Sequence, residues 1–406
     1  MASQTFMKHI EEKFAVLKHS FLSKTPDGAY RLNQADQALV ILSDLFAAHE
    51  LSLEEITFLT QLVEAEPDTL GMELSERMSG FMPGLLDKQF VYLSKAHEQI
   101  DPNVLMKNTF VAYISILSYA HPHFNFVPED AAYKGKFTYM LKLCKPLRLN
   151  LEYQDLSQAN LSYCDLRGAF LNHANLEKAT LLGANLESAH LTSANLQKAN
   201  LRKANLGNVQ AHFANFREVT MTDADLQNAQ LTEVDLTKAN LNGCNLSNAY
   251  LYQATLHEAD LQLVNAQHSR WHDADLAQAN LTNINLYKAD MRYAHFKTTL
   301  LKSANLKEAY LDHAELIQAD LTEVNAINAH FHNTDLTEAI LAYADFSKVD
   351  LSMSSLKGTQ LAKTNMRETN LEQTDMRVNT VEKSDFTGAM LDTNAREYLE
   401  RKGAIF

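Results

Sequence analysis

Ala194-Asn195-Leu196-Gln197-Lys198, Ala199-Asn200-Leu201-Arg202-Lys203 and Ala204-Asn205-Leu206 follow one another without a break. A leucine recurs at every fifth residue, and an alanine stands two before each leucine. Outward from this sample the pattern reaches from Leu151 to Leu391. Its apolar centres keep to residue numbers ending in 1 or 6, and its small residues to numbers ending in 4 or 9, with no slip of register. A five-residue period fits neither the 3.6-residue repeat of a helix nor the two-residue repeat of a strand. A helix would scatter the leucines around its circumference, and a strand would send successive ones to opposite faces. A chain that turns one corner per pentapeptide brings every centre inward. Four corners close a square coil of about twenty residues, and stacked coils pair their backbones at about 4.8 Å.

Ala174-Asn175-Leu176, Ala184-Asn185-Leu186, Ala224-Asp225-Leu226 and Ala304-Asn305-Leu306 match A-(D/N)-L-x-x. In this the chain resembles the pentapeptide repeat family over residues 150–393. The resemblance implies a right-handed quadrilateral β-helix of about 12 coils, a rod roughly 55–60 Å long. Proline usage agrees independently. All seven prolines lie at or before Pro146, as expected where every N–H is needed for a ladder between coils. Gly168, Gly183, Gly243, Gly358 and Gly388 each stand two after a centre, on the turn side of the repeat.

The length of 406 residues suggests two or three domains, and the apolar content of 46% is ample for a core. A net charge of -14 argues against general binding to nucleic-acid phosphates. Three cysteines without a CxxC pair fit a reducing compartment. The N-terminus lacks the apolar core of a signal peptide, and no apolar run approaches a membrane span. The expected location is cytoplasmic, or outside the cell by a route that uses no cleaved signal.

Residues 1–145 have a helical texture and are expected to form an all-α domain, either a cap on the first coil or a recognition module. Phe6, Ile10, Phe14, Leu17 and Phe21 mark a first helix, and Val40, Leu42 and Phe46 a second. Ser52-Leu53-Glu54-Glu55 opens a third as a capping box. Further helices are expected near 68–79, 84–98, 103–120 and 128–144, punctuated by Pro67, Pro83, Pro102 and Pro122. The β-helix follows over 146–393. Residues 394–406 read as a capping helix stopped by Gly403, then an apolar tail. In related proteins a C-terminal helix can mediate dimerisation, so a homodimer stands beside a simple lid.

Three centres are small, Ala211, Ala266 and Ala326, and each is followed at the next corner by Phe216, Trp271 or Phe331. Only six of the forty-nine centres are aromatic, so the pairing points to volume compensation in the core. Cys164 and Cys244 occupy the small inward position, about 19 Å apart by coil spacing and too distant for a disulfide. From Ser354 onward that position carries Thr359, Thr364, Thr369, Thr374 and Ser384, with Asn379 as an outlier. Their hydroxyls are expected to bond nearby backbone.

No Walker loop, GxGxxG, HExxH or GxSxG motif is present. His121-Pro122-His123 is the nearest approach to a metal pair and reads better as a solvated turn. Aspartates such as Asp165, Asp225 and Asp235 stand where the repeat itself demands Asn or Asp. The chain is therefore expected to be no enzyme, with no cofactor and no metal.

Folding the sequence at twenty residues per turn sorts the outward positions onto four faces. Three are mostly amide, hydroxyl and mixed charge. The face centred on Leu151, Leu171, Leu191 and their successors carries seven of the ten solenoid histidines. Its candidate protein-binding residues are Tyr250, Tyr252, Arg270, His272, Arg292, Tyr293, Tyr310, His313, His330 and His332. Tyrosine, histidine and arginine on a rigid surface are interface composition. The leading expectation is a protein-binding scaffold with a partner of unknown identity. A bacterial origin and a role as a secreted effector fit the family resemblance. The alternative is a DNA mimic that binds a type II topoisomerase such as gyrase and gives quinolone protection. Residues 146–406 hold 32 acidic and 23 basic side chains, a balance of -9. Lys178, Lys198, Lys203 and Lys238 interrupt the acidic rows, which weighs against the alternative.

Overall fold

The computed structural model describes residues 22–24, 30–32, 138 and 149–406. The chain divides into two compact units, Met1–Asn175 and Leu176–Phe406. In the first, β1 (Leu22–Lys24) and β2 (Tyr30–Leu32) pair antiparallel, with Leu22 opposite Leu32 and Lys24 opposite Tyr30. This adds a two-stranded hairpin, between Phe21 and Gln34, to the helices expected for residues 1–145. Pro26-Asp27-Gly28 between the strands is strong turn chemistry, and the helical periodicity on either side had hidden it. Thr138 is helical and buried. The other expected helices, the 145/146 boundary and His121-Pro122-His123 lie outside the described residues. The same unit ends in a repeat coil, where Asn150 bridges Phe170 and Asp155 bridges Asn175 in parallel.

In the second unit one local structure recurs at nearly every corner. The centre's carbonyl accepts from the N–H three residues on, as Leu196 does from Ala199 at 2.9 Å. The residue two after the centre has positive φ, between 53° and 64° where it is not glycine. That combination is a type II turn. The left-handed region costs a side chain about 1–2 kcal/mol. An N–H bond made from that same residue to the next coil offsets the strain, as from Lys198 to the Arg217 carbonyl at 2.9 Å.

The Asn or Asp before each centre has a physical reason. Its Oδ1 accepts from the N–H two residues on, as Asn195 does from Gln197 at 3.2 Å. Asparagine can also donate to the neighbouring coil. Asn265 donates to Asn245, Asn285 to Asn265, and Asn305 to Asn285, at 3.3, 3.1 and 2.9 Å.

In the second unit the core is one column of centres: from Leu176 to Phe386 none is more than 7% exposed, whereas Leu391, at the end, is half-buried. The small inward position follows its own rule. At most of its polar residues the side chain reaches the carbonyl twenty-three residues back, whereas Ser269 and Thr359 bond the carbonyl three residues back. Cys244 Sγ donates to Met221, Thr299 to Leu276 and Thr364 to Leu341, at 2.8, 2.7 and 2.8 Å. Ser354, Thr369 and Thr374 do the same, as expected of this row. Burial pushes the Cys244 thiol up to about 12, so it behaves as a packed, protonated group.

One corner breaks the rule of unbroken register. At Met376–Thr380 the type II turn is absent, Val378 is 2% exposed, and Asn379 is exposed instead. The centres Met376 and Val381 stay in place, so only the small inward position moves by one residue. A β-branched side chain is a poor occupant of the left-handed region. Thr298 adopts it at φ 55, with its hydroxyl bonded to the Lys297 carbonyl. Val378 has no such bond to make and turns inward. The carbonyl it presents accepts from Tyr398 Oη at 3.1 Å and from Lys402 Nζ at 2.7 Å.

Those two donors belong to the C-terminal closure. Helix α1 (Thr393–Arg401) begins at Asp392, whose carboxylate accepts from the Ala395 N–H at 2.8 Å. It stops in a Schellman motif, with Gly403 at φ 91 and the Ala404 N–H bonded to the Leu399 carbonyl. The helix stands in place of two corners, and the chain then regains register. Ile405 bridges Asp385, and Phe406 stacks on Phe386 at 5.5 Å. Leu399, 0% exposed, fills the end of the column. The outward side carries the Arg396–Glu400 and Arg401–Glu397 ion pairs. No helix among the described residues is long and apolar enough to cross a membrane.

Candidate protein-binding face

Turn geometry sorts the ten candidate residues differently from a simple face. Positions one before a centre carry the bridges, and so lie mid-face. Positions one and two after it form the turn, and so lie on the corner that follows. Tyr250, Arg270, Tyr310 and His330 therefore share a mid-face column. Tyr252, His272, Arg292, Tyr293, His313 and His332 line the adjoining corner.

The corner holds a ladder of rings across five successive coils. Tyr252 to His272, His272 to Tyr293, Tyr293 to His313 and His313 to His332 are separated by 6.4, 4.9, 4.8 and 6.0 Å between centroids. Coil spacing makes it about 20 Å tall. Side-chain bonds fix the imidazoles: His272 Nδ1 lies 3.0 Å from Asp273, His313 Nδ1 2.8 Å from Asn333, and His332 Nδ1 2.9 Å from Ser352. In the mid-face column the Arg270 guanidinium lies over the Tyr250 ring at 4.6 Å, and Tyr310 stacks on His330 at 4.7 Å. Tyr250 joins the two columns, 6.2 Å from Tyr252. Tyr293 and Tyr310 are each 43% exposed.

Asp290 interrupts the mid-face column and was not legible as part of the set. Arg292 grips it through two bonds of 2.8 and 2.7 Å. Burial raises the Asp290 carboxyl, but the hydrogen bonds and charge of Arg292 outweigh it and hold the group below the usual carboxylate value. Asp350 is similar: burial raises it, and bonds from Ser352 with the nearby His332 and His330 bring it below that value.

Beside the column runs a cleft of about 380 Å³. His268 and Lys288, from the preceding corner, form one wall, while Arg270, Asp290, Arg292 and Tyr310 form the other. Sorting residues by centre hides this neighbourhood, because His268 and Arg270 belong to different centres yet sit two residues apart. Among the described residues no group of three or more His, Cys, Asp or Glu side chains could hold a metal ion.

The surface also pairs its charges between coils. Lys198 meets Glu218 at 3.5 Å and Lys238 meets Glu258 at 3.4 Å, and at the cleft Lys288 meets Glu308 at 3.2 Å.

Comparison with known proteins places this geometry. No curated protein sequence matches the chain. Among solved structures it is similar to HetL, a pentapeptide repeat protein involved in heterocyst differentiation regulation from the cyanobacterium Nostoc sp. strain PCC 7120. That match is 25% identical, spans 54% of this chain and 86% of HetL, and has a TM-score of 0.32. Full-length QnrB1, a plasmid-mediated fluoroquinolone resistance protein, is 15% identical over 51% of this chain and 98% of its own, with a TM-score of 0.26. A pentapeptide repeat protein from the Arabidopsis thaliana thylakoid lumen is 26% identical over 27% of this chain and 74% of its own, with a TM-score of 0.21. The family model for pentapeptide repeats matches eight times between residues 155 and 392. With more than half of its length matched in this way, and with a turn, an Asx bond and an inward centre recurring every five residues, the chain belongs to the pentapeptide repeat family.

Proposed function

We propose that the solenoid is a non-enzymatic scaffold that binds a protein partner through the ring ladder and the mid-face column beside it. The observation that carries this reading is the continuous ladder from Tyr252 to His332. Its rings are outside the core, yet neighbouring coils hold each one. Such a surface loses little conformational freedom on binding, so its aromatics are suited to be hot spots worth about 2 kcal/mol or more apiece. The inter-coil Lys–Glu pairs support this reading over a DNA mimic, which needs dense, unneutralised acidic rows.

The test replaces Tyr252, Tyr293 and Tyr310 together with Ser in the full-length chain. Melting is expected to stay close to that of the unaltered protein, with about 0.5 kcal/mol or less lost per site. Partner capture from the native organism is expected to disappear. Undiminished capture with intact melting would remove the face from consideration. A gyrase supercoiling assay separates the alternative: inhibition by the protein would favour mimicry, and the scaffold reading expects none.

A further inference from the structure

We infer that the cleft between His268, Lys288, Arg270 and Tyr310 is an oxyanion site, which receives a phosphate monoester or carboxylate carried by the partner. The inference rests on the protein-binding reading for the source of the anion, and on the cleft alone for its chemistry. Three cations, Arg270, Lys288 and Arg292, line this cavity against a single carboxylate, Asp290, on a chain whose net charge is -14. That carboxylate is already neutralised by the two-bond grip of Arg292. Lys288 is shared between Glu308 at 3.2 Å and the Tyr287 ring at 5.1 Å.

Arg270 is different. It is exposed, and its guanidinium carbon lies 4.6 Å from the centroid of the Tyr250 ring. A guanidinium held at an aromatic face presents a planar fork of donors, the geometry that recognises phosphate and carboxylate oxygens. Tyr310 and His268, which also line the cleft, each carry a group able to donate. Their rings are fixed by His330 at 4.7 Å and by Tyr287 at 5.7 Å. The cavity of about 380 Å³ suits a side chain or a small group more than an extended peptide. Arg270, Arg292 and Tyr310 belong both to this cleft and to the candidate binding face. An anionic side chain seated here would therefore anchor a segment lying along the ring ladder.

The experiment titrates full-length protein with phenyl phosphate and, separately, with benzoate, following the Arg270 Nε–Hε resonance by arginine-selective NMR and heat by calorimetry. Saturable binding that weakens with added salt is expected. Arg270→Ala should weaken it about tenfold or more, the loss typical of a charge-assisted bond, and Arg270→Lys should recover part of it. Asp290→Asn should strengthen it, because it removes the only carboxylate from the cavity wall. Preference for phenyl phosphate assigns a phosphorylated side chain, and preference for benzoate assigns Asp or Glu. Failure of both probes to saturate, or equal affinity in Arg270→Ala, overturns the site. No partner is present in this assay, so its failure leaves the tyrosine capture result standing, and lost capture cannot imitate loss of the anion site.

Discussion

Replacing Ala266 with leucine tests whether the core is packed by layer volume. Ala266 and Trp271 are both 0% exposed. The indole N–H of Trp271 donates to Ser269 Oγ at 2.5 Å, and Ser269 in turn donates to the carbonyl of Ala266. The ring is thus directed back over the corner that a leucine at 266 would enter. Adding three carbons to a closed site should cost about 1–3 kcal/mol. Trp271→Leu alone leaves a void and should cost about 2–4 kcal/mol, somewhat below a tryptophan-to-alanine change. Together the two changes restore the usual pair of leucine centres, and a favourable coupling of about 2 kcal/mol is expected. Far-UV circular dichroism during urea unfolding reads all four corners of the cycle without relying on the lost indole. Ser269→Ala adds a second arm. With Trp271 present it strands a buried donor, at a cost of about 1–3 kcal/mol, and in the Trp271→Leu background most of that cost should vanish. Additive losses within about 0.5 kcal/mol would refute volume compensation, and an equal Ser269→Ala cost in both backgrounds would refute the indole bond.

Three further outcomes are expected. Burial raises the Asp235 carboxyl, but bonds from Thr237 and Arg217 outweigh it; the carboxyls of Asp375 and Asp385 are lowered chiefly by bonds from Arg377 and Thr387. All three are held below the usual aspartate value in the folded chain. Their contribution is full above about pH 5 and is lost as pH falls through the lowered folded values, so the urea midpoint should be flat near neutrality and drop below pH 3.8; a midpoint that rises in acid would contradict this. Leu399→Ala should open the C-terminal closure at a cost of about 2–4 kcal/mol. Amide exchange at Phe386, which donates to Ile405, should accelerate while exchange at Leu196 does not; equal protection at both would show that α1 is no lid. Asn285→Ala should destabilise more than Asn285→Asp, which keeps the acceptor for the Tyr287 N–H and loses only the bond to Asn265, a difference of about 0.5–1.5 kcal/mol in thermal or urea melts.

The sequence by itself determined the repeat, the inward centres, the position of the turn glycines and the closure by a C-terminal helix. Each depends on interactions between residues close in the chain, or twenty apart in a period that can be read by counting. It also supplied the ten candidate face residues, since a strict period makes any outward column a matter of arithmetic. Tertiary structure decided what counting could not reach. It showed that side chains one and two after a centre stand on a corner, because positive φ at the second of them turns the chain there. The ten residues therefore form a ring ladder and a separate mid-face column. It brought His268 and Lys288 beside Arg270 and Tyr310 across a cleft, a neighbourhood that no single centre contains. It also resolved Asn379, an outlier in the inward row, as a displaced residue: Val378 gives up the turn and takes the buried place. A period fixes where each side chain starts, while volume, backbone strain and hydrogen-bond partners in neighbouring coils fix where it ends.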